Sequence, residues 1–223
     1  MSSILPVPRS GAAGYTPPAW HARLEQQLAA VRRDPGLAAA CRRGRNVEPL
    51  DELKMTGPLV YILEGGPETP AQDQVGSGQW DAILAAAHHT LAFYACHQQS
   101  KTTVLHRRSV SVGAAARQLQ AAMPSKEGAA LRFRAARGAD SLPELLGHLR
   151  TLISLMRTYD VPLDYVALAE ALARWEHPEA RNRIRRRWGL DFHRTPAPKT
   201  PTLAPTHDPD SSADASPAAA ESA

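Results

Sequence analysis

Arginine side chains are the groups in this sequence that are best suited to binding a ligand. The chain has 223 residues with 22 arginines and 4 lysines, and five of the arginines crowd between Arg181 and Arg187. A guanidinium offers a planar fork of N–H donors that matches phosphate or carboxylate oxygens, whereas an ammonium acts as a point charge. The arginine excess therefore favours hydrogen-bonded contacts to an anionic partner, although a GC-rich genome produces a similar composition.

The formal net charge of +4 is distributed unevenly along the chain. Residues 1–106 hold nine basic and nine acidic side chains, whereas residues 107–194 hold sixteen basic and nine acidic side chains, a net charge of +7. Residues 195–223 hold Lys199 and four acidic residues, a net charge of −3. A surface that binds a negatively charged partner is therefore expected in residues 107–194.

The histidines and cysteines do not have the spacing of a metal site. The densest group contains His88, His89, Cys96 and His97, but a zinc site on a helix needs ligands at i and i+4 or a CxxC pair. Cys41 precedes several arginines but has no identifiable partner base, which favours a buried structural thiol over a nucleophile. We therefore expect no metal and no cofactor.

The glycine-rich and acidic segments also lack catalytic patterns. Gly65-Gly66 and Gly76-Ser77-Gly78 lack the lysine and the flanking strand of a phosphate-binding loop, and no GxSxG motif is present. The acidic residues do not cluster near a lysine, as the ligands of a two-metal nuclease do. The sequence predicts a protein that is not an enzyme.

The elements that must position the arginines are predicted to be helices. Alanine and leucine dominate the apolar residues, and no segment shows sustained apolar and polar alternation between hairpin turns. We therefore predict an all-α fold of two small helical bundles. Its predicted parts are a flexible leader at 1–16, an N-terminal bundle at 17–106, a basic C-terminal bundle at 107–194 and a disordered acidic tail at 195–223, rich in proline, alanine and serine.

A helix with a single buried stripe is predicted after Asp164, which has the side chain of a helix N-cap. Apolar residues then follow at i, i+3, i+7 and i+10, which is the spacing of one helix face. They are Tyr165, Leu168, Leu172 and Trp175. This helix is expected to anchor the basic segment that follows it.

The basic segment itself is predicted to be a second helix that starts at Pro178 and ends at Gly189. Ile184 and Trp188 share one face of this helix, so they would pack into the bundle. The charges on another face are Arg183, Arg186 and Arg187. The pattern indicates a basic surface held in place by aromatic packing.

No segment of the sequence predicts secretion or membrane insertion. The N-terminus lacks a charged and then apolar signal followed by a cleavage site, and Cys41 and Cys96 lie far apart in the chain. No apolar run approaches the roughly 20 residues that span a bilayer. We expect a cytoplasmic protein without a membrane partner.

Several segments, in their order along the chain, resemble one protein family. In the C-terminal half they are SVSVGAAARQL, ALRFRAARG, LPELLGHLRTLISLMR, VPLDYVALAEALARWEHPE and RIRRRWGLDFH. The N-terminal half is similar mainly in layout, with RRGRN before a short helix and QWDAILAAAHHTLAFYACHQ in the place of a central buried helix. The resemblance covers most of the chain from Arg42 to Arg194, and the family is CasB, the small subunit of the type I-E CRISPR surveillance complex Cascade.

The resemblance implies a non-catalytic subunit that acts in antiviral defence. Its partners would be the other Cascade subunits, the crRNA, the target and non-target DNA strands, and a second copy of itself. Its basic surface would bind nucleic-acid backbone, particularly the displaced non-target strand, and so stabilise the R-loop. Contacts to backbone would suffice, because base pairing between guide RNA and target DNA supplies the sequence recognition.

The resemblance and the local charge pattern together give the candidate nucleic-acid-binding residues. The positions that match family motifs are Arg42, Arg43, Arg137 and Arg150. The charge pattern adds Arg132, Arg134, Arg183, Arg186 and Arg187, with Arg107 and Arg108 in the segment between the bundles. Some of these side chains are expected only to keep helix surfaces hydrated, without binding nucleic acid.

Two other functions agree with a basic helical protein. One is a helix-turn-helix-like regulator, in which a C-terminal helix would enter the major groove of a preferred DNA sequence. The other is a helical scaffold whose arginines face an acidic protein partner. A competition between duplex sequences separates the regulator from a protein that binds only backbone.

Overall fold

The computed structural model describes residues 16–194, which form nine α-helices and two short 3₁₀ turns. The helices are α1 (Ala19–Arg33), α2 (Pro35–Gly44), α3 (Leu53–Glu64), α4 (Trp80–Gln98), α5 (Val112–Ala122), α6 (Lys126–Gly138), α7 (Leu142–Thr158), α8 (Tyr165–Ala173) and α9 (Pro178–His193). Over these residues no β-strand is formed, and the prediction of an all-α fold is confirmed. None of the described helices has the length and apolar character that crossing a bilayer requires.

Two of the predicted parts lie wholly or mostly outside the described residues. They are residues 1–15 of the predicted leader and the whole predicted tail at 195–223. The flexibility of the leader and the disorder of the tail therefore stay predictions.

Side-chain caps explain where five of the helices begin. The capping residues accept hydrogen bonds from backbone N–H groups two or three positions ahead, and they are Asp34, Ser111, Ser125, Ser141 and Asp164. At α8, Asp164 Oδ1 accepts from Ala167 N at 3.0 Å, which confirms the predicted N-cap. Each cap satisfies a backbone donor that has no partner within its own helix.

Helix α4 is the centre of the described structure. Its buried side chains point in several directions and include Ile83, Leu91, Phe93 and Tyr94. It contacts α1, α2 and α3 from the N-terminal half of the chain and α7 and α8 from the C-terminal half. A helix that is apolar all round has to be covered all round, so α4 gathers helices from both halves of the chain.

The segment between α4 and α5 is tied to the residues that precede α8. Leu163 N donates to Leu105 O at 3.0 Å, and Arg107 N donates to Leu163 O at 3.1 Å. The Gln98 side chain accepts from Leu105 N at 2.9 Å, which holds the same segment to the end of α4. Helix α4 packs against helices from both sides of residue 106. The division of the chain into two bundles at that residue stays a prediction.

The backbones of α5 and α9 approach each other very closely where the two helices cross. A Cβ atom at Gly113 would lie 2.0 Å from the backbone oxygen of Trp188, so only glycine fits there. The Trp188 ring stacks on Trp175 with a centroid distance of 5.5 Å, and Phe133 stacks on Phe192 at 4.6 Å. These contacts hold α9 against α5 and α6 and decide which arginines of α9 reach solvent.

Two details of the predicted C-terminal helices are wrong. Helix α8 ends at Ala173, so Trp175 is buried in the turn after the helix rather than on its stripe. Helix α9 continues through Gly189 to His193. A Cβ atom at Gly189 would lie 2.5 Å from Arg137 Nη1, so this glycine makes room for a crossing side chain instead of ending the helix.

The crossing of α5 and α9 predicts opposite effects for two glycine substitutions. Gly113→Ala should lower the free energy of unfolding by about 1–3 kcal/mol, because the new methyl group meets backbone that cannot move without separating the helices. Gly147→Ala on α7 is the control. Apart from α7 itself, no atom of residues 16–194 lies within 4 Å of the position that a Cβ would take there, so alanine should stabilise the protein by roughly 0.5–1 kcal/mol. Urea denaturation of both variants measures the two effects, and an unchanged stability of Gly113→Ala would contradict the packing described here.

Candidate nucleic-acid interface

The end of α6 and the first half of α9 form a basic groove of about 420 Å³. We call it the α6–α9 groove, and its lining residues are Arg134, Arg137, Gly138, Asn182, Arg185 and Arg186. Three of these were predicted as nucleic-acid-binding residues: Arg134, Arg137 and Arg186. Among the residues that the structure describes, no aspartate or glutamate lines the groove. Its lining therefore has a high density of positive charge and N–H donors, which suits an anionic ligand.

Two arginines of α9 that were not predicted as site residues hold this groove together. Arg185 Nη2 lies 2.9 Å from Gly138 O, 2.5 Å from Ala139 O and 2.8 Å from Asp140 Oδ1. Arg181 Nη1 donates to Asp140 O at 2.7 Å. The two guanidinium groups satisfy carbonyl oxygens at and beyond the C-terminus of α6, which have no partner within that helix. They fix α9 against α6 and so position the neighbouring arginines.

The Trp175 ring and the Asp140 carboxylate also hold the Arg185 guanidinium in place. Its guanidinium carbon lies 5.8 Å from the centre of the Trp175 ring, a cation–π contact. Its hydrogen bond and charge lower the pKa of Asp140, so this carboxylate stays ionised as a partner for Arg185. Sequence spacing placed Arg186 with Arg183 and Arg187 on one helix face and left Arg185 out of that group. The acceptors that Arg185 contacts could not be predicted, because they depend on the crossing of α6 and α9.

Seven of the eleven predicted arginines have side chains that make no hydrogen bond or ion pair with another residue in the range 16–194. They are Arg42, Arg107, Arg134, Arg137, Arg150, Arg186 and Arg187. Three of the seven line the α6–α9 groove. Arg42 lies on α2, Arg107 follows α4 and Arg150 lies on α7, so the structure does not bring these three into the groove.

The other four predicted arginines are engaged by groups of the same chain. Arg43 forms two hydrogen bonds with Glu52, both at 3.0 Å, and Arg108 forms two with Glu25. These bonds lower the pKa of each carboxyl group. The remaining two are Arg132, which donates to Gly128 O at 2.9 Å, and Arg183, which lies 3.8 Å from Glu179. A phosphate would have to displace a carboxylate from Arg43 or Arg108, which makes both poorer contacts than the groove arginines.

A second pocket, of about 260 Å³, lies between α8, α9 and the start of α5. Arg183 and Arg187 line it, but so do Glu170 and Asp191. Burial raises the pKa of Glu170, and Arg174 Nη2 lies 3.2 Å from its carboxylate. Positive and negative groups both line this pocket, so it is less suited to a polyanion than the α6–α9 groove.

The buried histidines serve the packing of the fold. His88 Nε2 lies 2.7 Å from Gly44 O, and His97 Nδ1 lies 2.8 Å from the Tyr165 hydroxyl. Burial lowers the pKa of His97 to about 4, so its ring is neutral at pH 7. Burial likewise raises the pKa of the Cys41 thiol to about 12, which leaves it unreactive. Within residues 16–194 no three histidine, cysteine or acidic side chains come together as metal ligands.

Comparisons with known proteins give a consistent result. Residues 28–193 match the family described as CRISPR-associated protein Cse2. The structure is similar to CasB from Thermobifida fusca, with a TM-score of 0.60, 26% sequence identity, and coverage of 79% of this chain and 98% of that one. A Cse2-family protein from Thermus thermophilus shares the fold with a TM-score of 0.56, 20% identity, and coverage of 77% of this chain and 96% of that one. A search of curated proteins finds no match.

The contacts of Arg185 predict that two neighbouring residues have very different effects on stability. Arg185→Ala should lower the free energy of unfolding by about 1.5–3 kcal/mol, because several acceptors at the end of α6 lose a charged donor. The control is Arg186→Ala, which should change it by less than about 0.5 kcal/mol, since Arg186 is exposed and makes no such bonds. Urea denaturation measures both values, and equal losses would show that Arg185 does not hold the groove.

Proposed function

Because the chain belongs to the Cse2 family of CRISPR-associated proteins, we propose that it is the small subunit of a type I-E Cascade complex. In this proposal it binds nucleic-acid backbone and stabilises the R-loop during antiviral defence. Its partners are the other Cascade subunits with their crRNA, the two DNA strands and a second copy of the chain. It contributes no catalytic step, since holding a strand requires binding alone.

The α6–α9 groove is the observation that carries this proposal. Arg134, Arg137 and Arg186 line it without a carboxylate partner in residues 16–194. Guanidinium groups in such a setting form charge-assisted hydrogen bonds with phosphate oxygens. Asn182 adds an uncharged side chain that can donate to the same oxygens.

Backbone contacts of this kind are sufficient for the proposed role. An RNA–DNA heteroduplex is about as stable as the DNA duplex that it replaces, so R-loop formation is nearly balanced in free energy. A few phosphate contacts to the displaced strand then shift the balance toward the open state. Such contacts carry no sequence information, and sequence recognition remains with the guide.

Charge reversal in the groove tests the proposal. In a reconstituted Cascade complex, Arg134→Glu with Arg186→Glu should raise the dissociation rate of the R-loop by about tenfold. The salt dependence of single-strand binding should also weaken, by about 1.4 in the slope of log K against log salt concentration for two lost phosphate contacts. The matched control is Arg32→Glu with Arg33→Glu, which removes the same charge from exposed positions on α1.

The outcomes of this experiment are distinct. A large effect of the groove pair and a small effect of the control pair supports the proposal. Equal effects would mean that the groove contributes only general positive charge and is not a specific binding site. No effect in either pair would overturn the role in R-loop stability. Tight binding of one particular duplex sequence would instead support a DNA-binding regulator.

A further inference from the structure

The chain contains an acidic segment that is complementary in charge to the α6–α9 groove. Residues 208–214 read DPDSSAD and place Asp208, Asp210 and Asp214 within seven positions without a basic residue. The match to the Cse2 family ends at residue 193, so this segment belongs to the part of the chain that the family match does not include. At neutral pH each of the three side chains carries a negative charge.

The acidic segment can reach the groove from its point of attachment. The described residues end at Arg194, one position after the end of α9, and the groove residues Asn182 to Arg186 lie on the same helix. The distance along the helix axis between them is roughly 12–18 Å at 1.5 Å per residue. The chain from Arg194 to Asp208 spans up to about 45 Å when extended, so its length is sufficient.

We propose that residues 208–214 bind the α6–α9 groove of the same chain through carboxylate contacts to Arg134, Arg137 and Arg186. These guanidinium groups lack a carboxylate partner in the described residues. Asp140, the carboxylate beside the groove, is not a lining residue and is paired with Arg185. The alternative location, the pocket between α8 and α9, contains Glu170 and Asp191 and is therefore unfavourable for further negative charge.

Tethering makes this weak contact relevant. Exposed ion pairs are individually weak, but a short linker keeps the acidic segment at an effective concentration in the millimolar range around the groove. Three carboxylates then occupy the groove part of the time and yield to a longer polyanion. The segment would act as an internal competitor that reduces binding of incidental nucleic acid, and this part of the inference rests on the proposed function.

Docking is tested first without nucleic acid. Backbone NMR signals of Asp208, Asp210 and Asp214 are recorded in the full-length chain at low and high salt, about 50 and 500 mM, because screening should release the segment. The signals should move with salt in the wild type and in the Arg32→Glu, Arg33→Glu control. In the Arg134→Glu, Arg186→Glu variant they should already have their high-salt positions at low salt. Identical low-salt signals in the groove variant and the wild type would overturn docking.

Competition is tested separately with a single-stranded DNA oligonucleotide. The full-length chain with Asp208→Asn, Asp210→Asn and Asp214→Asn should bind it about three- to tenfold more tightly than the wild type at low salt. The difference should vanish when the groove pair is also reversed. Equal affinities of the two chains would overturn the competition and leave the proposed function intact, whereas no binding by either chain would overturn the proposed function together with the competition.

Discussion

The close crossing of α5 and α9 is the constraint on which the basic surface depends. Gly113 lets the backbone of α5 approach Trp188, and Trp188 in turn stacks on Trp175. With the rotation of α9 fixed in this way, Arg185 meets the carbonyl oxygens at the end of α6 and Arg186 points to solvent. The arginines of this region are thereby divided into those that position α9 and those without a carbonyl or carboxylate partner in residues 16–194.

This division has an energetic basis. An arginine that satisfies carbonyl oxygens at a helix end stabilises the fold and cannot be given up to a ligand without exposing those acceptors. Arg23 serves the same purpose in the other half of the chain, where it is buried and donates to Ile62 O, Leu63 O and Asp73 O. Arginines without such partners are the ones that can exchange water for phosphate. The count of basic residues therefore overstates the size of the binding surface.

Local sequence signals predicted the helices well, because caps and apolar periodicity act over a few residues. The Asp164 cap and the buried α4 followed directly from residue type and spacing. The roles of Gly189 and Arg185 could not be predicted, since both depend on where α6 crosses α9. Of the eleven candidate arginines, the structure gathers Arg134, Arg137 and Arg186 in one groove, and no spacing rule would have selected those three.

We propose that the displaced DNA strand lies against the α6–α9 groove. Site-specific photo-crosslinking in the assembled complex tests it most directly, with a photoreactive residue placed at Asn182 in the groove or at Ser154, which is exposed on α7. If the strand lies there, position 182 should crosslink to the non-target strand once the R-loop has formed, and position 154 should not. A crosslink from position 154 together with none from position 182 would contradict it.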